Sequence, residues 1–193
     1  MRSTWLALGV LIVPFSAGAT FHRWDITEFY SNASGSVQYV EFYDIFNSEH
    51  LLSGHTLQST TPPVMSFTFP SNLSSTSTAN QHMLVATHGF ASLPGAVTPD
   101  YTLPAWNFFA TVADTLNFAS GFDTITWTSG QLPTDGIDAL HEDYGGTNRH
   151  TGPNTPTNFA GQVGSLPEPS RELGLLAGSL AVFGLARRAR ETG

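Results

Sequence analysis

The chain has 193 residues and a formal net charge of −8, and all 7 of its basic residues are arginines. Arg23 and Arg149 are the only cations between residues 20 and 166, which argues against nucleic-acid binding through phosphate neutralisation. The sequence has no cysteine, so disulfides, thiolate metal sites and cysteine nucleophiles are excluded. The length and the hydrophobic content of 40% predict one packed domain with terminal appendages.

The first 19 residues have the three parts of a secretory signal peptide. Arg2 supplies the positive charge, residues 5–15 form a short apolar run, and Ala17 and Ala19 form a small-residue cleavage site. We therefore expect cleavage after Ala19 and export of the body of the protein.

Short runs of β-branched and aromatic residues follow, separated by turn residues. Residues 21–30 and 37–46 flank the turn sequence SNASGS and predict a β-hairpin. Further strands are predicted within residues 54–59, 64–70 and 81–87.

The next stretches complete the predicted domain. Residues 105–119 are ambiguous and could hold a short helix or a turn. Residues 122–130 alternate as expected for a strand, with Asp123, Ile125 and Trp127 on one face and Thr124, Thr126 and Thr128 on the other. Antiparallel strands at this spacing predict an all-β sandwich over residues 20–150.

From Thr134 onward the composition shifts towards Gly, Pro, Asn and Thr. This composition predicts a segment that follows the edge of the sandwich, and then a flexible linker over residues 151–166.

The last part of the chain, residues 167–190, combines three features. Pro167, Glu168 and Pro169 come first, then 14 residues without charge (173–186), and then the basic cluster Arg187, Arg188 and Arg190. An apolar run of this length is short for a membrane span, which needs about 20 residues. We expect a single C-terminal apolar helix that acts as a marginal stop-transfer element, with the arginines at the cytoplasmic face.

This arrangement resembles the PEP-CTERM sorting signal of exopolysaccharide-producing bacteria. The resemblance implies that an exosortase-type membrane transpeptidase recognises the tail and removes it near Pro167–Pro169. The protein would be anchored transiently in the inner membrane and then reside at the cell surface or outside the cell. The alternative is a plain C-terminal anchor.

Residues 24–127 resemble a lamin-tail-type domain, which implies an immunoglobulin-like antiparallel sandwich. The resemblance rests on ITEFY (26–30), VQYVEFYD (37–44), LLSGHTL (51–57), the stretch 69–87 and LNFASGFDTITW (116–127). Asp44 stands where that family usually has Asn. The family is a binding and assembly module, which implies a protein that is not an enzyme.

Metal and cofactor chemistry have little support in the sequence. The seven histidines show no ligand spacing; they are His22, His50, His55, His82, His88, His141 and His150. Four clustered carboxylates could supply at most one low-affinity Ca²⁺ site, because the EF-hand spacing is missing; they are Asp135, Asp138, Glu142 and Asp143. The alternative for these carboxylates is a solvated turn, and no other cofactor is expected.

Two further features bear on chemistry. Glu28 and Glu41 fall on adjacent strands of the predicted hairpin; paired carboxylates can hydrolyse glycosides, but the alternation favours a structural or surface role. We expect no catalytic residue. Trp24 and Trp127 are expected in the core, whereas Trp106, close to Pro104 in a predicted loop, is the best candidate for an exposed, sugar-stacking aromatic.

These observations predict an exported, non-enzymatic surface or extracellular-matrix protein that contacts exopolysaccharide or other surface proteins. The alternatives are an exported module that binds carbohydrate or calcium, and an exported hydrolase whose site has no recognisable motif.

Overall fold

A computed structural model describes residues 23–164 and 166 of the chain. The predicted signal peptide and sorting tail lie outside the described residues. In the part of the chain that is described, no helix is long and apolar enough to cross a membrane. The described residues form ten strands and one short helix: β1 (Asp25–Ser31), β2 (Gln38–Asp44), β3 (Thr56–Ser59), β4 (Met65–Thr68), β5 (Gln81–Thr87), α1 (His88–Ala91), β6 (Tyr101–Leu103), β7 (Asp114–Phe118), β8 (Asp123–Trp127), β9 (Asp138–Glu142) and β10 (Arg149–Pro153).

The strands form two sheets. The larger sheet has the order β10-β9-β1-β2-β5-β6 and the smaller has the order β4-β3-β7-β8. Every pairing is antiparallel except that of β5 with the three-residue strand β6. The predicted all-β class and the β1–β2 hairpin are therefore confirmed.

The main core lies between the sheets and draws on both of them. Phe29, Phe42 and Val85 face it from the larger sheet, and Leu57, Phe118 and Trp127 face it from the smaller. Along β8 the residues Ile125 and Trp127 are buried while the threonines are exposed, as the alternation predicts. Burial of this apolar surface is the main force that holds the two sheets together.

The outer face of the larger sheet is also covered. A second apolar cluster on this face includes Tyr39, Leu84, Ala139, Phe90 of α1 and Leu166. Alternation along β1, β2, β5 and β9 therefore places buried side chains on both faces of the sheet, which is possible only because later parts of the chain pack against it.

Two regions differ from the sequence-based expectation. Residues 105–119, for which the sequence allows a short helix or a turn, form an irregular loop that leads into β7, a strand that the sequence does not predict. The short helix lies at His88–Ala91. The expected linker over residues 151–166 includes the end of β10, and residues 154–164 are tied to the body by backbone hydrogen bonds such as Asn154 N to Ile137 O (3.0 Å). The composition of the segment does not reveal that it packs on the body, because its polar partners lie more than 100 residues away in the chain. We call residues 154–164 and 166 the C-terminal strap.

Candidate functional site

Glu28 and Glu41 are directly opposite each other across the β1–β2 hairpin. Both project from the outer face of the larger sheet, and both are only 3% exposed because the C-terminal strap lies over them. The structure thus brings together the two carboxylates that the sequence places on adjacent strands.

The strap and the sheet supply hydrogen-bond donors to both carboxylates. Glu28 accepts bonds from the Thr155 amide and hydroxyl, each 2.8 Å, and from the Tyr39 hydroxyl. Glu41 accepts a bond from the Thr157 amide (2.5 Å) and pairs with His82 Nδ1 at 2.6 Å. Four carboxylate oxygens therefore each have a protein partner.

Burial shifts the titration of this cluster. It raises the pKa of Glu41 above its ordinary value, although the hydrogen bond from His82 opposes the shift. Burial, and then the adjacent Glu28 carboxylate, raise the pKa of Tyr39 well above its ordinary value. Tyr39 is therefore a neutral hydrogen-bond donor to Glu28 at ordinary pH.

The glutamate pair supports a structural role. Glycoside hydrolysis needs a sugar between the two carboxylates, together with access for water. Here the strap residues Thr155 and Thr157 occupy the space over the pair and use its oxygens. The pair anchors the strap to the sheet, in agreement with the interpretation that the alternation favours.

The histidines and the acidic cluster are dispersed. His82 pairs with Glu41, while His141 lies 3.6 Å from Glu28 and stacks on His150. Within residues 23–164 and 166, no three His, Asp or Glu side chains converge on a position that could hold a metal ion. His22 lies outside the described residues.

The four calcium candidates have separate roles in and around β9. Asp135 accepts the backbone amides of Ile137 and Asp138 and closes a turn. Glu142 pairs with Arg149 of β10 at 2.9 Å, and Asp143 follows β9 in an exposed turn. Asp138 and Glu142 lie on β9 itself, so only Asp135 and Asp143 lie in exposed turns, as the solvated-turn interpretation expects for all four.

A groove of about 530 Å³ lies at one end of the sandwich, where three loops meet. The β1–β2, β3–β4 and β6–β7 loops line it, and Trp106 belongs to the last of these. Loops at the end of a β-sandwich are a common place for ligand contacts, because the sheets hold them in position. We call this site the three-loop groove.

Asp114 connects two of the three loops through hydrogen bonds to its side chain. This buried carboxylate accepts hydrogen bonds from the Ser59 hydroxyl (2.5 Å), the Thr61 amide (2.9 Å) and the Ala110 amide (2.8 Å). Burial alone would raise its pKa, but these bonds outweigh burial and leave the pKa of Asp114 below its ordinary value. An ionised acceptor of several donors holds the β3–β4 and β6–β7 loops together.

The first loop is fixed to the third by Asn107 and Gly35. The Asn107 side-chain amide donates to the carbonyls of Ser34 (2.7 Å) and Gly35 (3.1 Å), and the Asn107 backbone amide donates to Gly35 O (3.0 Å). Gly35 has φ +70°, and a Cβ at this position would lie 1.8 Å from the Asn107 side chain. A residue with a side chain would need both a strained backbone here and a shift of the Asn107 side chain, so the position favours glycine.

Trp106 is 64% exposed, whereas Trp24 and Trp127 are buried, as the sequence predicts for all three. The groove itself could not be predicted, because its lining comes from loops some 30 to 70 residues apart in the chain. The one available signal was the tryptophan close to a proline in a turn-rich stretch.

Comparison of this chain with protein-family models, with curated proteins and with solved structures gives no match. Any function proposed for this chain therefore rests on its residues and their geometry.

Proposed function

We propose that this chain is an exported, non-enzymatic protein of the cell surface or extracellular matrix, built on an immunoglobulin-like sandwich. Its C-terminal PEP-CTERM-like tail directs it to an exosortase-type transpeptidase. The apolar segment at 173–186 holds it briefly in the inner membrane, and the body then passes to the surface or the surrounding matrix.

The observation that carries this proposal is the position of the last described core residue. Leu166 is 7% exposed, belongs to the second apolar cluster, and donates its amide to Asn154 Oδ1 at 2.9 Å. The next residue is Pro167, the first of the Pro-Glu-Pro motif. A cut at or after this motif would leave every described core residue on the released body.

The proposal of a non-enzymatic role draws support from the chemistry of the buried groups. The paired carboxylates Glu28 and Glu41 are saturated by the strap, and Asp114 is saturated by loop donors. Each is engaged in holding the fold together. The three-loop groove, with its exposed tryptophan, fits a surface that binds rather than one that reacts.

The sorting proposal is tested by replacing Pro167, Glu168 and Pro169 with alanine and fractionating the cells that make the protein. We expect the unaltered chain in the surface and extracellular fractions and the variant in the membrane fraction. Glu191→Ala, beyond the arginine cluster, is the matched control and should leave the distribution unchanged. An identical distribution for the triple variant and the unaltered chain would contradict the proposal.

A further inference from the structure

We propose that the three-loop groove binds a neutral polysaccharide, with a sugar ring stacked on the face of Trp106. This inference names the class of ligand for the surface role proposed above. It rests on that proposal only because an exported chain meets extracellular polymers.

Trp106 has the exposure and the surroundings of a stacking residue. Its side chain is 64% exposed, and Val112, which also lines the groove, is 62% exposed. Exposed side chains of this size cost free energy in water, and covering them with the apolar face of a ring recovers part of it. We call these two exposed lining side chains, Trp106 and Val112, the apolar strip.

The loop that carries Trp106 is fixed before any ligand arrives. Asn107 is bonded to the β1–β2 loop, and Phe109 exchanges two hydrogen bonds with the buried Gln38 side chain (2.7 and 3.3 Å). Asp114 holds the Ala110 amide. An aromatic ring on such a loop loses little conformational entropy on binding, which favours affinity.

The polar lining suits hydroxyl-rich ligands. Ser34, Thr61 and Thr111, which carry hydroxyl groups, are among the residues that line the groove. A hydroxyl is both a donor and an acceptor, as are the hydroxyls of a sugar. Apolar walls with a few placed polar groups are the usual composition of a small-ligand site.

Charge selects a neutral polymer over an acidic one. Among the described residues, no Asp, Glu, Lys, Arg or His lines the groove. Residues 23–164 and 166 carry twelve carboxylates and two arginines, a formal charge of −10. This field repels an anionic chain, and the groove offers no cation to pair with it.

The size of the apolar strip disfavours a protein partner. A stable protein–protein interface buries on the order of 1,000 Å² or more with a contiguous apolar core. The strip here consists of two exposed side chains at one end of the sandwich, which matches a few sugar units. A protein ligand is therefore an outcome of the test rather than the proposal.

The test is calorimetric titration of the full chain with neutral hexasaccharides of β-1,4-glucose, β-1,3-glucose, β-1,4-mannose, β-1,4-xylose and α-1,4-glucose, at millimolar concentrations. Oligogalacturonate is the acidic comparison. We expect one or more neutral hexasaccharides to bind, Trp106→Ala to weaken that binding at least about tenfold, and Trp106→Phe to retain most of it. Phe122→Ala, at the far end of β7 from the groove, should bind like the unaltered chain.

Thermal melting of each variant accompanies the titration, because a change at an exposed side chain should leave the melting temperature nearly unchanged. Three results would overturn the proposal: no binding of any neutral hexasaccharide, equal binding by Trp106→Ala, or preference for oligogalacturonate. Self-association that disappears in Trp106→Ala, without sugar binding, would also overturn it and assign the groove to a protein contact. None of these results moves the cellular location of the chain, so failure here is distinguishable from failure of the sorting proposal.

Discussion

Asp44 offers a sharp test of how burial affects the stability of this fold, because one oxygen of its buried carboxylate has no hydrogen-bond partner among the described residues. Its side chain is 0% exposed; Oδ1 accepts the Phe46 amide at 2.9 Å, while Oδ2 has no hydrogen-bond partner among the described residues. Burial, with a further contribution from Glu49, raises the pKa of Asp44 from 3.8 to about 6, although Arg23 opposes the shift. The ionised form is therefore destabilised in the folded state.

The sign and size of the effect follow from linkage. A carboxylate with a raised folded-state pKa contributes stability below its unfolded pKa, and this contribution is lost as the pH rises through the folded value. The shift from 3.8 to about 6 corresponds to an upper limit of about 3 kcal/mol, which solvent screening reduces. Asp44→Asn removes the ionisation, so near pH 7 the variant should be more stable than the unaltered protein by about 1–3 kcal/mol.

The assay is urea unfolding of both proteins near pH 4 and near pH 7. Asp25, Glu41, Asp100 and Asp123 also have raised pKa values, so the decisive quantity is the difference between variant and unaltered protein at each pH. We expect this difference to be small near pH 4 and large near pH 7. Asp143→Asn, at an exposed turn, should change stability by less than about 0.5 kcal/mol at both. A difference for Asp44→Asn that does not grow with pH would refute the reasoning.

Two further predictions concern the strap and the groove. Glu28→Ala removes the acceptor of the Thr155 amide and hydroxyl and should lower the free energy of unfolding by about 2–4 kcal/mol in urea titrations; an effect below about 0.5 kcal/mol would show that the pair does not anchor the strap. Gly35→Ala should lower the free energy of unfolding by about 2 kcal/mol more than Gly54→Ala in the same assay. Both glycines have positive φ, but only at Gly35 would an added Cβ meet a side chain. Equal losses of stability for the two variants would assign the whole cost to backbone strain.

The strands with strong local patterns were predictable from the sequence. Residues 81–87 form an apolar run bounded by polar residues, and β5 occupies those same positions. β8 follows from strict alternation, which fixes which of its faces is buried. Both elements are defined by their own residues and need no knowledge of their neighbours.

The remaining strands depend on their partners. β6 has three residues and exists because it pairs in parallel with β5. β9 and β10 carry no apolar alternation that distinguishes them from a loop, and β10, with the sequence RHTGP, becomes a strand by its register with β9. Such elements are set by tertiary contacts that override local propensity.

The same distinction holds for the sites. Exposure of Trp106 was predictable, because a tryptophan near a proline in a turn-rich loop has few neighbours to bury it. The groove beside it depends on Asp114 joining loops 50 residues apart, and the burial of Glu28 depends on a strap 127 residues away. Long-range polar contacts of this kind leave no periodic signal in a sequence.

The central claim is that this domain is exported and sorted through its tail. The most direct measurement is mass spectrometry of the mature C-terminus in fractionated cells. The account predicts a chain that ends near Pro167–Pro169 and is recovered from the surface or extracellular fraction. An intact chain that ends at Gly193 in the membrane fraction would contradict it and leave a membrane-tethered envelope domain.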